Sequence, residues 1–205
     1  MGSLNTVTEV NMLKIRLLIM LMFITIPTIQ ADMQDDFWQK LVSLKGQAFA
    51  GELTAGTETG DKEFVAGGAI MHVWKVSDKV IRIPFHIGNN HSRTWVLTRT
   101  ADGIRLKHDH RKEDGSDDET TMYGGDTAAK GTPIRQEFKA DKYTGELLPV
   151  SGKNIWAMEV ELGKRFIYEL RREHEDRFFR VEFDLSKAIE TPVLAWGDTT
   201  QENKK

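Results

Sequence analysis

Two histidines and a carboxylate stand close together in one polar stretch, residues 106–127. His108 and His110 are two positions apart, so on a β-strand both imidazoles project from one face, about 6.5–7 Å apart along the chain. Two imidazoles and a carboxylate can hold a divalent metal, and a metal with an open coordination position can activate water. With Glu119 as the carboxylate, this set predicts a metal-dependent hydrolase or a related enzyme.

The dipeptide Asp114-Gly115 predicts how this stretch folds, because both residue types tolerate positive φ and favour a two-residue hairpin turn. The resulting register pairs His110 with Glu119 and places His108 on the same face. Tyr123 shares that face as well. A structural alternative to the metal site is therefore a polar barrel rim in which His110 and Glu119 form an ion pair.

Charges across the turn support the same register. Lys112 faces Asp117, and Arg111 faces Asp118. Opposite charges on facing strand positions stabilise a hairpin, although each exposed pair contributes only about 0.2–1 kcal/mol. The loop from Asp114 to Glu119 is acidic but lacks the alternating ligand spacing of an EF-hand, so a solvated turn is favoured over a calcium site.

The same face also fits a binding site for a small amphipathic ligand. Ile104 and Leu106 begin it with apolar side chains, and it becomes polar toward the turn, as the wet mouth of a barrel does. On the preceding strand Arg93 shares a face with Trp95, so an inward guanidinium could hold a ligand carboxylate, unless Arg93 is merely exposed at the start of the strand. The predicted ligand-binding residues are His108, His110, Tyr123 and Arg93.

The elements that must position these residues are strands. From Gln47 onward apolar and polar residues alternate, as in residues 81–87 and 179–185, and short turn signals separate the runs. The pattern predicts an all-β antiparallel meander of about 8–10 strands. Closure into a lipocalin-like barrel would leave no unpaired edge. A short helix over residues 32–44 precedes it, because apolar residues recur there at helical spacing.

Bulky aromatic residues on the inward faces raise a third possibility, a closed structural barrel associated with the cell envelope. Such side chains narrow the lumen and argue against a large lipid ligand. The residues concerned are Trp74, Trp95, Trp156, Phe179 and Phe183.

The first 31 residues have the pattern of a secretory signal peptide. Lys14 and Arg16 precede an apolar run over residues 17–26, which is short for a membrane span, and Ala31 offers a small residue for cleavage. If Met12 is the true start, residues 1–11 are an upstream extension. The prediction is a single barrel domain over residues 32–198, a flexible tail over residues 199–205, and no membrane span after cleavage.

Charge and cysteine content narrow the function classes. Without residues 1–31, the chain has 26 basic and 30 acidic side chains, a net charge near −4. This mildly acidic balance gives no electrostatic footprint for nucleic acid. The chain has no cysteine, so the core alone must stabilise the exported protein, which fits a Gram-negative periplasm better than a eukaryotic extracellular route. The sequence predicts no oligomeric state.

Two resemblances follow from these features. The N-terminal helix, Gly46 and Phe49 before the first strand, and the meander resemble the calycin plan of lipocalins and fatty-acid-binding proteins, which implies a ligand-binding barrel. Several blocks also resemble a group of secreted bacterial proteins without an assigned activity, which implies export and a single domain but no mechanism. These blocks are residues 92–95, 106–111, 113–115, 122–127 and 179–185.

Overall fold

The computed structural model describes residues 33–198, apart from the side chain of Glu63, and these residues fold mainly as antiparallel strands. The predicted signal peptide and the predicted tail, residues 199–205, lie outside the described residues. All described residues belong to one unit. No helix within residues 33–198 is long and apolar enough to cross a bilayer.

The described chain contains eleven strands and a few short helices. The strands are β1 (Ala48–Gly56), β2 (Ala69–His72), β3 (Lys75–Val76), β4 (Val80–Ile87), β5 (Asn90–Arg99), β6 (Ile104–His110), β7 (Tyr123–Thr127), β8 (Arg135–Ala140), β9 (Asn154–Glu161), β10 (Arg165–Arg172) and β11 (Phe178–Asp184). The helices are α1 (Met33–Ser43), α2 (Gly60–Val65) and α3 (Lys142–Leu147), and a 3-10 helix (Pro149–Lys153) follows α3.

The sheet closes on itself, which confirms the predicted barrel. Neighbouring strands pair in chain order from β4 to β11, β11 pairs with β1, and β1 pairs with β2. Pairing of β2 with β4 completes a ring of ten antiparallel strands, while β3 lies beside β4 outside that ring. A closed ring leaves no long edge open to pairing with another chain.

Helix α1 closes one end of the barrel, and the sequence explains why. Phe37 and Leu41 are four positions apart on one helix face, and both are fully buried together with Trp38. Asp35 and Asp36 stand in the first turn, where carboxylates interact favourably with the helix dipole. This end of the barrel is therefore plugged by apolar side chains.

The core next to α1 is filled by the inward residues of the strands. On β6 these are Ile104 and Leu106, both buried as their alternation predicts. Farther from α1 the filling becomes a layer of stacked rings. Trp95 lies between Phe85 and Tyr168, with ring centroids 4.6 and 4.5 Å away. This layer separates the packed half of the barrel from the half that remains open.

Trp74 corrects one part of the predicted interior. It lies in the short connection between β2 and β3 and is only half-buried, with the Lys75 ammonium 4.0 Å from its ring centroid. Trp74 belongs to neither strand, so the strand alternation that suggested an inward side chain does not apply to it. Four other aromatic residues predicted to point inward are buried: Trp95, Trp156, Phe179 and Phe183.

The turn between β6 and β7 differs from the predicted hairpin. Arg111 pairs with Asp117, whereas the predicted register paired it with Asp118. Gly115 has a φ of +85° and ends a three-residue turn, residues 113–115, instead of a two-residue one. Three-residue turns with a left-handed last residue are a common alternative for hairpins. The predicted register is thus wrong by one residue at the turn.

A second irregularity moves Glu119 away from His110. The Asp118 carboxylate accepts the backbone N–H of Thr120 at 2.8 Å, a local turn that takes the chain out of the ladder. Pairing resumes only at His108 and Tyr123. The predicted pairing of His110 with Glu119 is therefore wrong, and Glu119 is exposed.

Candidate ligand-binding cavity

A cavity of about 530 Å³ lies in the open half of the barrel, at the opposite ends of the strands from α1. Three connections form its rim: the segment that contains α2, the loop between β6 and β7, and the segment with the 3-10 helix. Because strand connections alternate between the two ends of a meander, these three long connections all fall at the same end.

All four residues that the sequence proposed for ligand binding line this cavity. Alternation along β5 and β6 turns the side chains of Arg93, His108 and His110 inward. The strand register sets how near each of them lies to the mouth of the barrel. Arg93 lies directly opposite His110, one level nearer the mouth than the pair of Trp95 and His108. Tyr123 lies opposite His108 on the next strand.

His108 is fixed by protein partners on both ring nitrogens. Its Nδ1 is 3.2 Å from the Tyr123 carbonyl oxygen, so this nitrogen carries the proton and donates. Its Nε2 is 2.7 Å from the Tyr168 hydroxyl and accepts from it. Burial, followed by the nearby His110, lowers the pKa of His108 to about 3. The ring is therefore neutral near pH 7 and leaves no lone pair free for a metal.

His110 and Tyr123 form a more open pair nearer the mouth. The His110 Nε2 atom is 3.3 Å from the Tyr123 hydroxyl, and the two rings meet edge to face. Burial lowers the pKa of His110 to about 4, and the charge of Arg93 contributes, while Asp118 and Asp109 act in the opposite direction. Burial also raises the pKa of Tyr123 to about 12. Both groups are neutral hydrogen-bonding groups near pH 7.

Arg93 is a charged group whose described contacts are uncharged. Its guanidinium lies 4.9 Å from the centroid of the Phe64 ring and donates to the Ser92 hydroxyl at 3.2 Å. Within the part of the chain that the structure describes, no carboxylate forms an ion pair with it. Burial lowers the pKa of Arg93 below its usual range, which reflects the cost of removing its charge from water.

Arg177, which the sequence did not suggest, lines the same cavity but is fully compensated. Its guanidinium donates to both carboxylate oxygens of Asp61, at 2.7 and 2.8 Å, and lies 3.1 Å from the Glu58 carboxylate. Asp61 also accepts the Glu58 backbone N–H at 3.0 Å. Asp61 and Arg177 are 116 positions apart in the chain, so no local spacing could have revealed the pair.

A third cavity arginine, Arg172, was also missed. It donates to the side-chain oxygen of Asn154 at 3.1 Å and to the Glu175 carboxylate at 3.2 Å. Its position at the end of β10, following the inward residues Tyr168 and Leu170, is a signal that the alternation contained. The series of inward-facing residues on β10 ends with the charged Arg172, where the strand reaches the mouth of the cavity.

The walls of the cavity are largely aromatic. Trp95 and Trp156 contribute from the strands, Phe179 from β11, and Phe64 from α2. The rings of Phe64 and Phe179 contact each other with centroids 5.9 Å apart. An apolar lining with a few convergent polar groups is the usual composition of a small-molecule site.

The predicted metal ligands are not brought together. Glu119 is exposed and does not line the cavity, and both ring nitrogens of His108 are already engaged. Among the residues that the structure describes, no group of three or more histidine, aspartate or glutamate side chains is arranged to hold a metal ion.

Two other histidines pack against each other away from this cavity. His86 is buried on β4, and its Nδ1 is 2.8 Å from the Nδ1 of His91. His86 follows Phe85, whose side chain points into the barrel, so His86 points outward by alternation. The Trp196 backbone N–H donates to the His91 carbonyl oxygen at 3.0 Å, so the C-terminal segment packs over this outer face.

Comparison of the chain with protein-family models, with curated proteins and with solved structures gave no match. The resemblance to secreted bacterial proteins therefore stays a prediction. The resemblance to calycins rests on the architecture alone, a closed antiparallel barrel preceded by a short helix.

Proposed function

We propose that this chain is a binding protein that holds a small amphipathic molecule in the open half of its barrel. One observation carries the proposal: a cavity of about 530 Å³ in which aromatic walls meet the polar groups of Arg93, His110 and Tyr123. Its volume falls within the range of about 300–1,000 Å³ that is typical of small-molecule sites.

The same division of the barrel favours binding over a purely structural role. The packed half already contains large buried side chains such as Phe166 and Phe183, and it supplies the hydrophobic stabilisation that a cysteine-free domain needs. The open half instead contains a cavity lined by aromatic surface and by the Arg93 guanidinium, which has no carboxylate partner among the described residues. A binding role would account for an open aromatic cavity and for a charge without an ion-pair partner among the described residues at this end of the barrel.

Export belongs to the same proposal, supported by the positively charged start and apolar run before Ala31. Expression in a Gram-negative host should give a periplasmic protein whose mass corresponds to a first residue Asp32. A protein that stays in the cytoplasm with its N-terminal residues intact would contradict export.

The neutral dye phenylnaphthylamine, which fluoresces in apolar surroundings, tests binding in the cavity. Leu170 is partly buried and lines the cavity, whereas Leu162 is 48% exposed in the turn after β9. The variant Leu170→Trp places a larger side chain in the cavity, and Leu162→Trp places the same side chain outside it as a matched control.

We expect the wild type and Leu162→Trp to bind the dye with similar affinity and Leu170→Trp to bind it at least about tenfold more weakly, because an indole occupies the volume that the dye needs. Far-ultraviolet circular dichroism would check that both variants are folded. No saturable binding to the wild type, or equal binding by all three proteins, would contradict the proposed function.

A further inference from the structure

Resting on that proposed function, we propose that the ligand carries a singly charged oxyanion, a carboxylate or a sulfonate, held by Arg93 with His110 and Tyr123. The apolar part of the ligand then lies against the aromatic walls. This assigns the class of the ligand and the part of the cavity that recognises its polar end.

The strand register brings the three groups together. Arg93 and His110 are directly opposite each other on neighbouring antiparallel strands, and both side chains line the cavity. Facing residues of such strands have Cβ atoms about 4.5–5.5 Å apart. The Tyr123 hydroxyl is 3.3 Å from the His110 ring, so a guanidinium, an imidazole and a phenol converge on one region.

The charge of Arg93 points to an anion. Among the described residues it has an aromatic ring and a serine hydroxyl as partners but no carboxylate, although burial has removed part of its hydration. An oxyanion would supply the missing counter-charge, and the planar guanidinium can donate two parallel hydrogen bonds to it. The Phe64 ring beneath the guanidinium limits its orientations.

The other cavity arginines do not compete for this role. Both carboxylate oxygens of Asp61 accept from Arg177, and Glu58 adds a second negative charge beside it. Arg172 already donates to Glu175. An anion at Arg177 would compete with Asp61 and Glu58, and one at Arg172 would compete with Glu175.

The balance of charge favours a single negative charge on the ligand. His110 and Tyr123 are neutral hydrogen-bonding groups in these surroundings, and Arg93 supplies one positive charge. The charges of Asp118 and Asp109 act on His110, and that of Asp118 also acts on Arg93, so neither adds to the positive charge of the site. Asp109 already accepts from Arg82 and Arg111. A phosphate monoester with close to two charges would be left partly uncompensated in a poorly hydrated site.

A matched pair of dyes tests the anion requirement. Anilinonaphthalene sulfonate has the ring system of phenylnaphthylamine with one added sulfonate. The ratio of the two dissociation constants would be measured for the wild type, for Arg93→Gln and for Arg105→Gln. Arg105 is an exposed arginine paired with Asp126 on the outer face of β6, so it serves as the control for loss of one positive charge.

We expect Arg93→Gln to weaken binding of the sulfonate at least about tenfold more than binding of the neutral dye, because hydrogen bonds to a charged group are lost. Arg105→Gln should leave the ratio as in the wild type. A ratio that Arg93→Gln does not change, with both dyes bound in the cavity, would overturn the inference but leave the proposed function intact. Absence of binding by either dye would count against both.

Competition on the wild type keeps the test independent of any variant. Naphthoate, naphthyl phosphate and the neutral naphthalenemethanol would each displace the bound neutral dye. We expect naphthoate to compete at least about tenfold better than the alcohol and better than the phosphate. Equal competition by naphthoate and the alcohol would overturn the anion requirement, and preferred binding of the phosphate would overturn the single charge.

Discussion

Arg93 and Arg177 line the same cavity, and each guanidinium lies over a phenylalanine ring, at 4.9 Å from the Phe64 centroid and 5.7 Å from the Phe179 centroid. The two guanidinium groups differ in their ion pairs. Arg177 has a bidentate bond to Asp61 and a second carboxylate nearby, whereas Arg93 forms no ion pair with any described residue. Removing one partner of a nearly buried ion pair leaves the other charge uncompensated, so the pair of Arg177 and Asp61 belongs to the fold. A charge beside a cavity with no ion-pair partner among the described residues is a place where an anionic ligand would be stabilised.

Removal of Asp61 should have the largest effect. The variant Asp61→Ala leaves Arg177 without its bidentate partner at a site where both side chains are nearly buried, so the free energy of unfolding should fall by about 3–5 kcal/mol. Urea unfolding followed by tryptophan fluorescence measures this change. Asp126→Ala, in an exposed pair with Arg105, is the control and should cost less than about 1 kcal/mol. Equal losses in the two variants would contradict a structural role for the Asp61 pair.

Replacement of each arginine by methionine tests whether the two charges differ in their effect on stability. Arg177→Met leaves the Asp61 carboxylate buried and unpaired, so unfolding should require about 3 kcal/mol less free energy. Arg93→Met removes a partly buried charge that has no ion-pair partner among the described residues, and the free energy of unfolding should stay within about 1 kcal/mol or rise. If Arg93→Met destabilises the protein as much as Arg177→Met, the distinction between the two sites fails.

The two arginines should also differ in their effect on His110. Burial is the larger cause of its low pKa, about 4, and the charge of Arg93 is the next. In Arg93→Gln the pKa of His110 should therefore rise but stay below 6.5. The folded state would then lose less stability through His110 as the pH falls from 6.5 to 4, because its pKa lies nearer to the unfolded value.

Histidine ring signals followed by NMR across this pH range would give the pKa of His110 directly. Arg177→Gln is the matched comparison, since Arg177 is not among the groups that shift this pKa. An unchanged pKa in Arg93→Gln would mean that the guanidinium and the imidazole do not share one region of the cavity.

The smallest effect is expected for Arg105→Gln. Both partners of the pair between Arg105 and Asp126 are nearly half exposed, at 46% and 47%, so water screens their attraction. The free energy of unfolding should change by less than about 1 kcal/mol in a urea titration. A larger loss would show that charge on this barrel surface matters as much as charge at the cavity.

The sequence predicted the fold better than the site because the fold depends on repeated local patterns. Alternation placed Ile104 and Leu106 in the core, turned His108 and His110 to one face and put Arg93 on a face with Trp95, and the structure agrees. The error at the turn arose because two hairpin types compete for the same Asp-Gly sequence, and the choice shifted the register.

The part of the cavity wall that contains α2 and Arg177 depends on contacts between residues far apart in the sequence, which local spacing does not encode. Asp61 meets Arg177 across 116 positions, and α2 interrupts the strands where no periodic pattern predicted a helix. The predicted metal ligand Glu119 failed to join the histidines because the local turn at Asp118 moved it outward.

The most direct measurement is a crystal structure of the protein with naphthoate bound. We expect the naphthalene ring against the aromatic walls and both carboxylate oxygens within about 3 Å of the Arg93 guanidinium nitrogens. Asp61 should still be paired with Arg177 in that complex. A carboxylate that points to solvent, or one that displaces Asp61 from Arg177, would show that Arg93 is not the anion-recognising residue of this barrel.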